Sequence, residues 1–570
     1  MDTGTLNWLW ARRIVAAARA GGVRHAVMSP GSRSSPLALA FARHPELETH
    51  VVLDERSAAF FALGLASRSR RPVAVVATSG SAPAHWHPAV LEADAAGVPL
   101  VLFSADRPPE LQHCGANQTT EQPRLFGPAV RAAFDLGAPG PTGLEAVGQR
   151  TAMAVDRALW PRCGPVHVNV PFREPLLPNA DALDAQGVQP KVPSPVMRSS
   201  PAVVLPPDRV AALAGRLGGR RGLIVCGPAA HDGGLARAVA ELAGRLECPV
   251  LADPLSGLRF GTHDRTYVLG HYDAFLRGPA WAGDAGPEWV LRLGRMPVSR
   301  ALSDYLAMHP EAEHWLVTEA GDWPDPLHRA HRVIHASPAW LCRELAAVVE
   351  APVPKAWTSA FLGHEARVSE WLEEHAAELP LEWQVLRALP GPLHEGTWVF
   401  CANSLVIRDV DAVLAGGGRA LHLTGQRGLS GIDGNLSSAA GVAQAGRQGV
   451  VALVGDLATF HDLTGLGLVA DRDVTVVVFN NRGGGIFDLL PQAALPEHER
   501  LWRTPQPWSL KRAAHLFGLP YRRVEDAEDF GRTLLVARRK RKAAMIEVRV
   551  DAVHSAQARR ACWKWAEAMQ

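Results

Sequence analysis

Short runs of β-branched and other apolar residues alternate along this chain with Ala- and Leu-rich stretches, the rhythm of parallel α/β domains. The first third offers strands at 24–28, 51–53, 73–77, 99–104 and 166–170. A second set follows at 222–226, 249–252, 289–293, 315–318 and 332–335. A third lies at 398–402, 420–424, 450–454, 474–479 and 544–548. Runs this continuously apolar predict strands covered on both faces, because a wetted face would alternate with polar residues.

Two breaks divide the three sets. A Pro-rich passage runs from Pro175 to Pro207, and a shorter seam, APVPK, occupies 351–355. Both read as linkers. The fold class expected is therefore α/β, with three consecutive domains over 1–185, 186–355 and 356–570. Each should hold a mainly parallel sheet flanked by helices. At 570 residues the chain is too long for one ordinary core, which agrees with that division. No short-period repeat is present.

Composition narrows the function classes. Lys and Arg number 59 against 57 Asp and Glu, so nothing calls for nucleic acid or a membrane surface. The seven cysteines are scattered without a CxxC pair, which argues against zinc ribbons and disulfide frameworks and suits a reducing, cytoplasmic setting. Arg12-Arg13 sits in a short Ala-rich stretch expected to open the fold as an amphipathic helix rather than to act as a signal. No apolar run approaches a membrane span.

Two strand ends carry the chemistry. VALVGDLATF (451–460) is an apolar run ending in Gly455-Asp456, where open α/β sheets place their ligands. The next strand ends in Asn480-Asn481, within VTVVVFNNRGGGIF (474–487). One carboxylate and one amide oxygen, presented side by side, suit a hard cation that shares its oxygens with phosphate. Glycines 483–485 let the main chain approach such a ligand and leave amides free for it. Either motif alone would favour a helix cap or a turn. In this order and at this spacing they favour a metal–diphosphate site.

GD…NN at this interval resembles the signature of the thiamine-diphosphate-dependent enzymes, with Leu457 standing where the signature usually has Gly. The words GDLATFHDL and NNRGGGIFDLLP are similar to one branch, the decarboxylating carboligases of menaquinone biosynthesis. The resemblance implies thiamine diphosphate with Mg2+ or Mn2+ as cofactors. It implies Asp456, Asn481 and the Gly483 carbonyl as metal ligands, with Gly455 and Leu457 beside them. Ile486 and Phe487 would pack against the cofactor.

It also implies an activating glutamate beside the aminopyrimidine ring. VVLDERSAAFFALGLA (51–66) places Glu55 at that position, where a strand turns into a helix. The residues alone would allow Asp54 or Glu55 to be a helix-start carboxylate. Ile432, in GQRGLSGIDG (425–434), matches the large apolar residue that props the cofactor into its bent shape. In this family the glutamate and the metal site of one active centre come from different subunits. A homodimer or dimer of dimers is implied.

The branch joins 2-oxoglutarate to isochorismate, both dicarboxylates, so arginines are expected at loop positions. By resemblance Ser32 and Arg33 (MSPGSRSSP), Arg107 (SADRPPEL), Asn117 and Gln118 (GANQTTEQ) serve isochorismate, with Gln118 also near the reacting carbon. Ser404, Arg408 (NSLVIRD) and Arg427 match positions for the 2-oxoglutarate-derived carboxylate. In the middle domain the family often has Lys-Arg; here Ser299-Arg300 stands, leaving Arg300 as the candidate. His85 and His87, at i,i+2 before Pro88, read as loop or packing residues. A simpler 2-oxo acid decarboxylase, or a relative that only binds ligand, are the alternatives left open. A nucleotide in the middle domain is a weaker one, since GxGxxG is missing there.

Overall fold

The computed structural model describes residues 2–179, 196, 198–229, 234–278, 286–319 and 321–569. They build two compact units. The first comprises Met1–Ser200 with Gln426–Arg447 and His461–Arg472; the second comprises Pro201–Gly425, Gln448–Phe460 and Asp473–Gln570. The expected break at 185/186 lies outside the described residues.

The first unit holds a sheet of β1 (His25–Met28), β2 (Glu48–Val51), β3 (Val73–Ala77), β4 (Leu100–Asp106), β5 (Ala133–Asp135) and β6 (Val166–Pro171). Every pairing is parallel, and the order is β2-β1-β3-β4-β6-β5. β3, β4 and β6 are buried along their whole length, as continuous apolar runs require. The opening stretch does form a helix, Thr3–Ala20, which buries Trp8, Leu9 and Ile14.

The second unit holds two sheets. One consists of β7 (Gly222–Cys226), β8 (Val250–Ala252), β9 (Val268–Leu269), β10 (Trp289–Leu293), β11 (Glu313–Thr318) and β12 (Ala330–His335), ordered β12-β11-β10-β7-β8-β9. That is the doubly wound dinucleotide-fold order. The other consists of β13 (Trp398–Cys401), β14 (His422–Thr424), β15 (Val450–Gly455), β16 (Val474–Asn480), β17 (Tyr521–Val524) and β18 (Ala544–Arg549), ordered β14-β13-β15-β16-β18-β17. All pairings in both are parallel. The first and third sheets therefore share one strand order, which the divergent sequence of the two segments conceals.

The α/β class and the three parallel sheets agree with the periodicity. Three strands were not expected: β5, β9 and β17. Each closes one edge of its sheet, and such strands are short or carry polar residues on the open side, as in YRRV. The run expected at 51–53 is displaced. The strand is Glu48–Val51: Val51 is its last residue, paired with Met28, and Leu53 lies in the connection to the next helix, both with exposed side chains. The seam at 351–355 is not slack either. Val353 is buried, its amide donates to Leu246, and Trp357 of the helix Lys355–Glu374 donates to the Gly222 carbonyl of β7.

Candidate active site

In the first unit the predicted residues follow the ends of three strands of one sheet. Ser32 and Arg33 come after β1, Glu55 after β2 and Arg107 after β4, so all lie at the carboxyl edge beside the point where strand order reverses. Arg33 is buried and donates to the Phe172 carbonyl at 2.9 Å and to the Glu174 carboxylate at 2.7 Å. Arg107 reaches the same Glu174 oxygen at 3.9 Å and donates to the Asn117 carbonyl at 3.1 Å. The two arginines thus converge on one carboxylate. Gln118 adopts a left-handed backbone (φ 56°), donating to the Ser79 carbonyl and accepting from the Ser79 hydroxyl through its own carbonyl. Ser32 and Asn117 are exposed.

The adjacent carboxylates 54 and 55 stand in different local settings. Asp54 is the N-cap of the helix Glu55–Ser69: it accepts from the amides of Arg56 and Ser57 and from the Thr464 hydroxyl. Glu55 is the first helical residue, and no hydrogen bond or ion pair among the described residues engages its carboxylate. Its helix is seated tightly on the helix Asn435–Gln444. A Cβ on Gly64 would lie 2.0 Å from the Ser438 carbonyl, and one on Gly441 2.0 Å from that of Phe61. The loop before that second helix carries Arg427 and Ile432. Buried Glu92 holds it, accepting from the Gly428 and Leu429 amides at 2.7 and 2.6 Å. Ile432 remains exposed.

In the second unit Gly455-Asp456 ends β15 and Asn480-Asn481 ends β16, its direct neighbour. Asp456 is buried, and burial pushes its carboxyl up to about 6 although the Gly483 amide donates to it at 2.8 Å. Asn480 is spent on Glu547, whereas the side-chain carbonyl of Asn481 is buried with no hydrogen-bond partner. A buried acceptor left unpaired is costly. One carboxylate, one orphaned amide oxygen and a glycine turn form the donor set a hard divalent cation takes, so these residues fit the implied metal. The Gly483 carbonyl accepts from Gly485 and keeps a second lone pair. Side chains are excluded from the turn: a Cβ on Gly483 (φ 127°) would meet the Arg503 carbonyl at 2.1 Å.

Leu457, Ile486 and Phe487 are half-buried around this turn. Ser404 follows β13 at φ 67°, and Arg408 folds back to donate to its carbonyl at 2.7 Å. Arg300 stands apart: its side chain is 82% exposed and paired with Asp304, and none of its bonds reaches another predicted residue. Ser299 beside it is buried and caps the following helix. His87 stacks on Phe126, a packing role, as expected.

The comparisons with known proteins decide the lineage. Residues 10–125 match the thiamine pyrophosphate enzyme N-terminal TPP binding domain, 212–400 the middle domain of thiamine pyrophosphate enzymes, and 416–548 the C-terminal TPP binding domain. The 2-succinyl-5-enolpyruvyl-6-hydroxy-3-cyclohexene-1-carboxylate synthase of Dechloromonas aromatica is 43% identical, over 93% of this chain and 96% of its own. Those of Geobacillus kaustophilus and Halobacterium salinarum are 41% and 39% identical, each over 97% of both chains. The chain belongs to the 2-succinyl-5-enolpyruvyl-6-hydroxy-3-cyclohexene-1-carboxylate synthase family. It is a thiamine-diphosphate-dependent enzyme.

Three side chains that the sequence did not point out hold the predicted residues or their loops. Glu174 answers the arginines, and Glu92 fixes the loop of Arg427. Arg503 straps the 481–488 turn, donating to the main-chain carbonyl of Asn481 at 2.6 Å and pairing with Asp488. Only Glu174 had a sequence signal, as a carboxylate in FREPLLP right after a buried strand.

Proposed function

We propose that the enzyme decarboxylates 2-oxoglutarate and adds the remaining four-carbon fragment to isochorismate in a 1,4-addition. The observation that carries this reading is the placement of buried Asp456 beside the partnerless side-chain carbonyl of Asn481 at neighbouring strand ends, an anchor for Mg2+ or Mn2+ and a diphosphate. Thiamine diphosphate, when bound, supplies the carbanion chemistry. The chain supplies the rest. Glu55 would hold and return a proton at the aminopyrimidine ring, and its unengaged carboxylate at a strand end suits that task. Arg408, Arg427 and Ser404 would orient the 2-oxoglutarate-derived carboxylate. Arg33 and Arg107, already converging on a carboxylate, would orient isochorismate together with Ser32, Asn117 and Gln118. Arg300, turned to Asp304, would have to release that partner to take part.

The working unit in this proposal is a homodimer, with Glu55 of one subunit serving the cofactor anchored by Asp456 of the other. A cytoplasmic setting suits seven cysteines that are all free. No helix among the described residues is long and apolar enough to cross a membrane.

The test is incubation with 2-oxoglutarate, isochorismate, thiamine diphosphate and Mg2+, following carbon dioxide release and product mass together. Turnover of 2-oxoglutarate well above that of pyruvate is expected. Equal turnover would point to a simpler 2-oxo acid decarboxylase.

A further inference from the structure

The amino end of the first sheet, opposite the strand ends discussed above, carries three ligand-type side chains. His25 opens β1, and its register partner Glu48 opens β2. His50 lies two residues further along β2 and so projects from the same face. Nδ1 of His25 is 3.2 Å from Nε2 of His50, and the Glu48 oxygens lie 3.5 and 3.8 Å from the two nitrogens. Donor atoms sharing one tetrahedral ion at about 2.0–2.1 Å stand about 3.4 Å apart. Taken with one Glu48 oxygen, the three donor atoms lie within 4.8 Å of one another, close enough for a single ion to draw together.

An imidazole pair bonded ring to ring, with Glu48 as countercharge, would be the simpler account. One feature goes beyond it. Glu48 is held in place from outside: Gln444 donates to it at 2.7 Å, and Arg472 donates to the Gln444 side-chain carbonyl at 3.1 Å. A ligand carboxylate oriented by an amide, itself oriented by a second group, is how metal sites are supported from outside.

We propose that His25, Glu48 and His50 bind one divalent transition-metal ion of the zinc class, separate from the magnesium-type site at Asp456. Two imidazoles and one carboxylate favour Zn2+, Co2+ or Ni2+ over Mg2+, which requires oxygen ligands. The Glu48 side chain is 54% exposed and leaves an entry path and a fourth position for water. Occupancy ties β1 to the edge strand β2, whose chain runs on to Glu55, and stabilises the folded unit by linkage.

The experiment titrates Co2+, then Zn2+, into enzyme already saturated with thiamine diphosphate and Mg2+. One equivalent per chain should give the intense visible absorption of four-coordinate cobalt, displaced by Zn2+, together with a rise in unfolding temperature. Glu48→Gln and His25→Gln, at accessible positions, should abolish the cobalt signal, and Gln444→Ala should weaken binding about tenfold. Circular dichroism of each variant separates loss of the site from loss of the fold. A silent wild type would overturn the proposal. So would a signal that survives Glu48→Gln but disappears in Cys114→Ser, since that places the ion on the exposed thiol.

Discussion

The guanidinium of Arg33 donates to the carboxylate of Glu174 at 2.7 Å, although 141 positions separate the two residues. Arg33 is buried while the Glu174 side chain is 70% exposed, and in the proposed reaction isochorismate would be drawn to the same cation. Substrate and Glu174 would then compete for one cation. Glu174→Gln removes the competing charge and should lower KM for isochorismate about two- to fivefold, the scale of an exposed ion pair. kcat should change little. A higher KM would instead make Glu174 the group that positions Arg33.

Asp54 caps a helix, and the proposed function gives its neighbour Glu55 the proton at the cofactor, a division that can be measured. Asp54→Ala removes the side-chain cap and should cost about 1 kcal/mol of stability. Decarboxylation should persist in that variant. Glu55→Gln removes no hydrogen bond among the described residues, so its denaturation midpoint should match wild type. Carbon dioxide release from 2-oxoglutarate should disappear. If Glu55→Gln turned over normally, the glutamate would have no part in the reaction.

What was legible in the sequence was local. Gly455-Asp456 and Asn480-Asn481 end buried strands, and burial on both faces writes an apolar run of the kind seen in β15 and β16. What stayed hidden falls into two kinds. Edge strands such as β17 have one open side and tolerate arginines, so they leave no run to read. Long-range partners leave no spacing at all: Glu92 meets Gly428 across 336 positions, and only the folded chain brings them together. The position of β2 misled for a related reason. Val51 ends the strand and Leu53 follows it, yet both side chains are exposed in the approach to Glu55.

Ser299, where the family often has Lys, has a structural task. Its hydroxyl accepts from the Leu302 amide at 3.1 Å and donates to Asp273 at 2.6 Å, in a buried setting. Ser299→Ala should destabilise the second unit by about 1 kcal/mol, and Ser299→Thr should retain most of the cap. Chemical denaturation of both variants checks this. Because Arg300 follows directly and Asp273 also acts on Arg408, KM measured for both substrates shows whether the cap reaches those candidates as well.

His167 makes the first unit sensitive to acid. It lies buried on β6 with its Nε2 2.7 Å from the Ser104 hydroxyl and its ring against the Phe126 edge. Burial holds its imidazole down at about 4, against an ordinary value of 6.5. Above pH 6.5 both folded and unfolded chains carry it neutral, so its stabilising contribution is complete. As pH falls from 6.5 towards 4, the unfolded chain takes up a proton that the folded one refuses, and stability is lost. Near and below 4 the folded form protonates too, and the loss levels off. A depression of this size corresponds to about 3 kcal/mol over the window. Unfolding midpoints of wild type and His167→Gln, measured from pH 7.5 to 4, isolate the effect because other titrating groups are common to both. The variant should start less stable at pH 7.5 and lose less on acidification. Parallel curves would show that His167 does not set the slope.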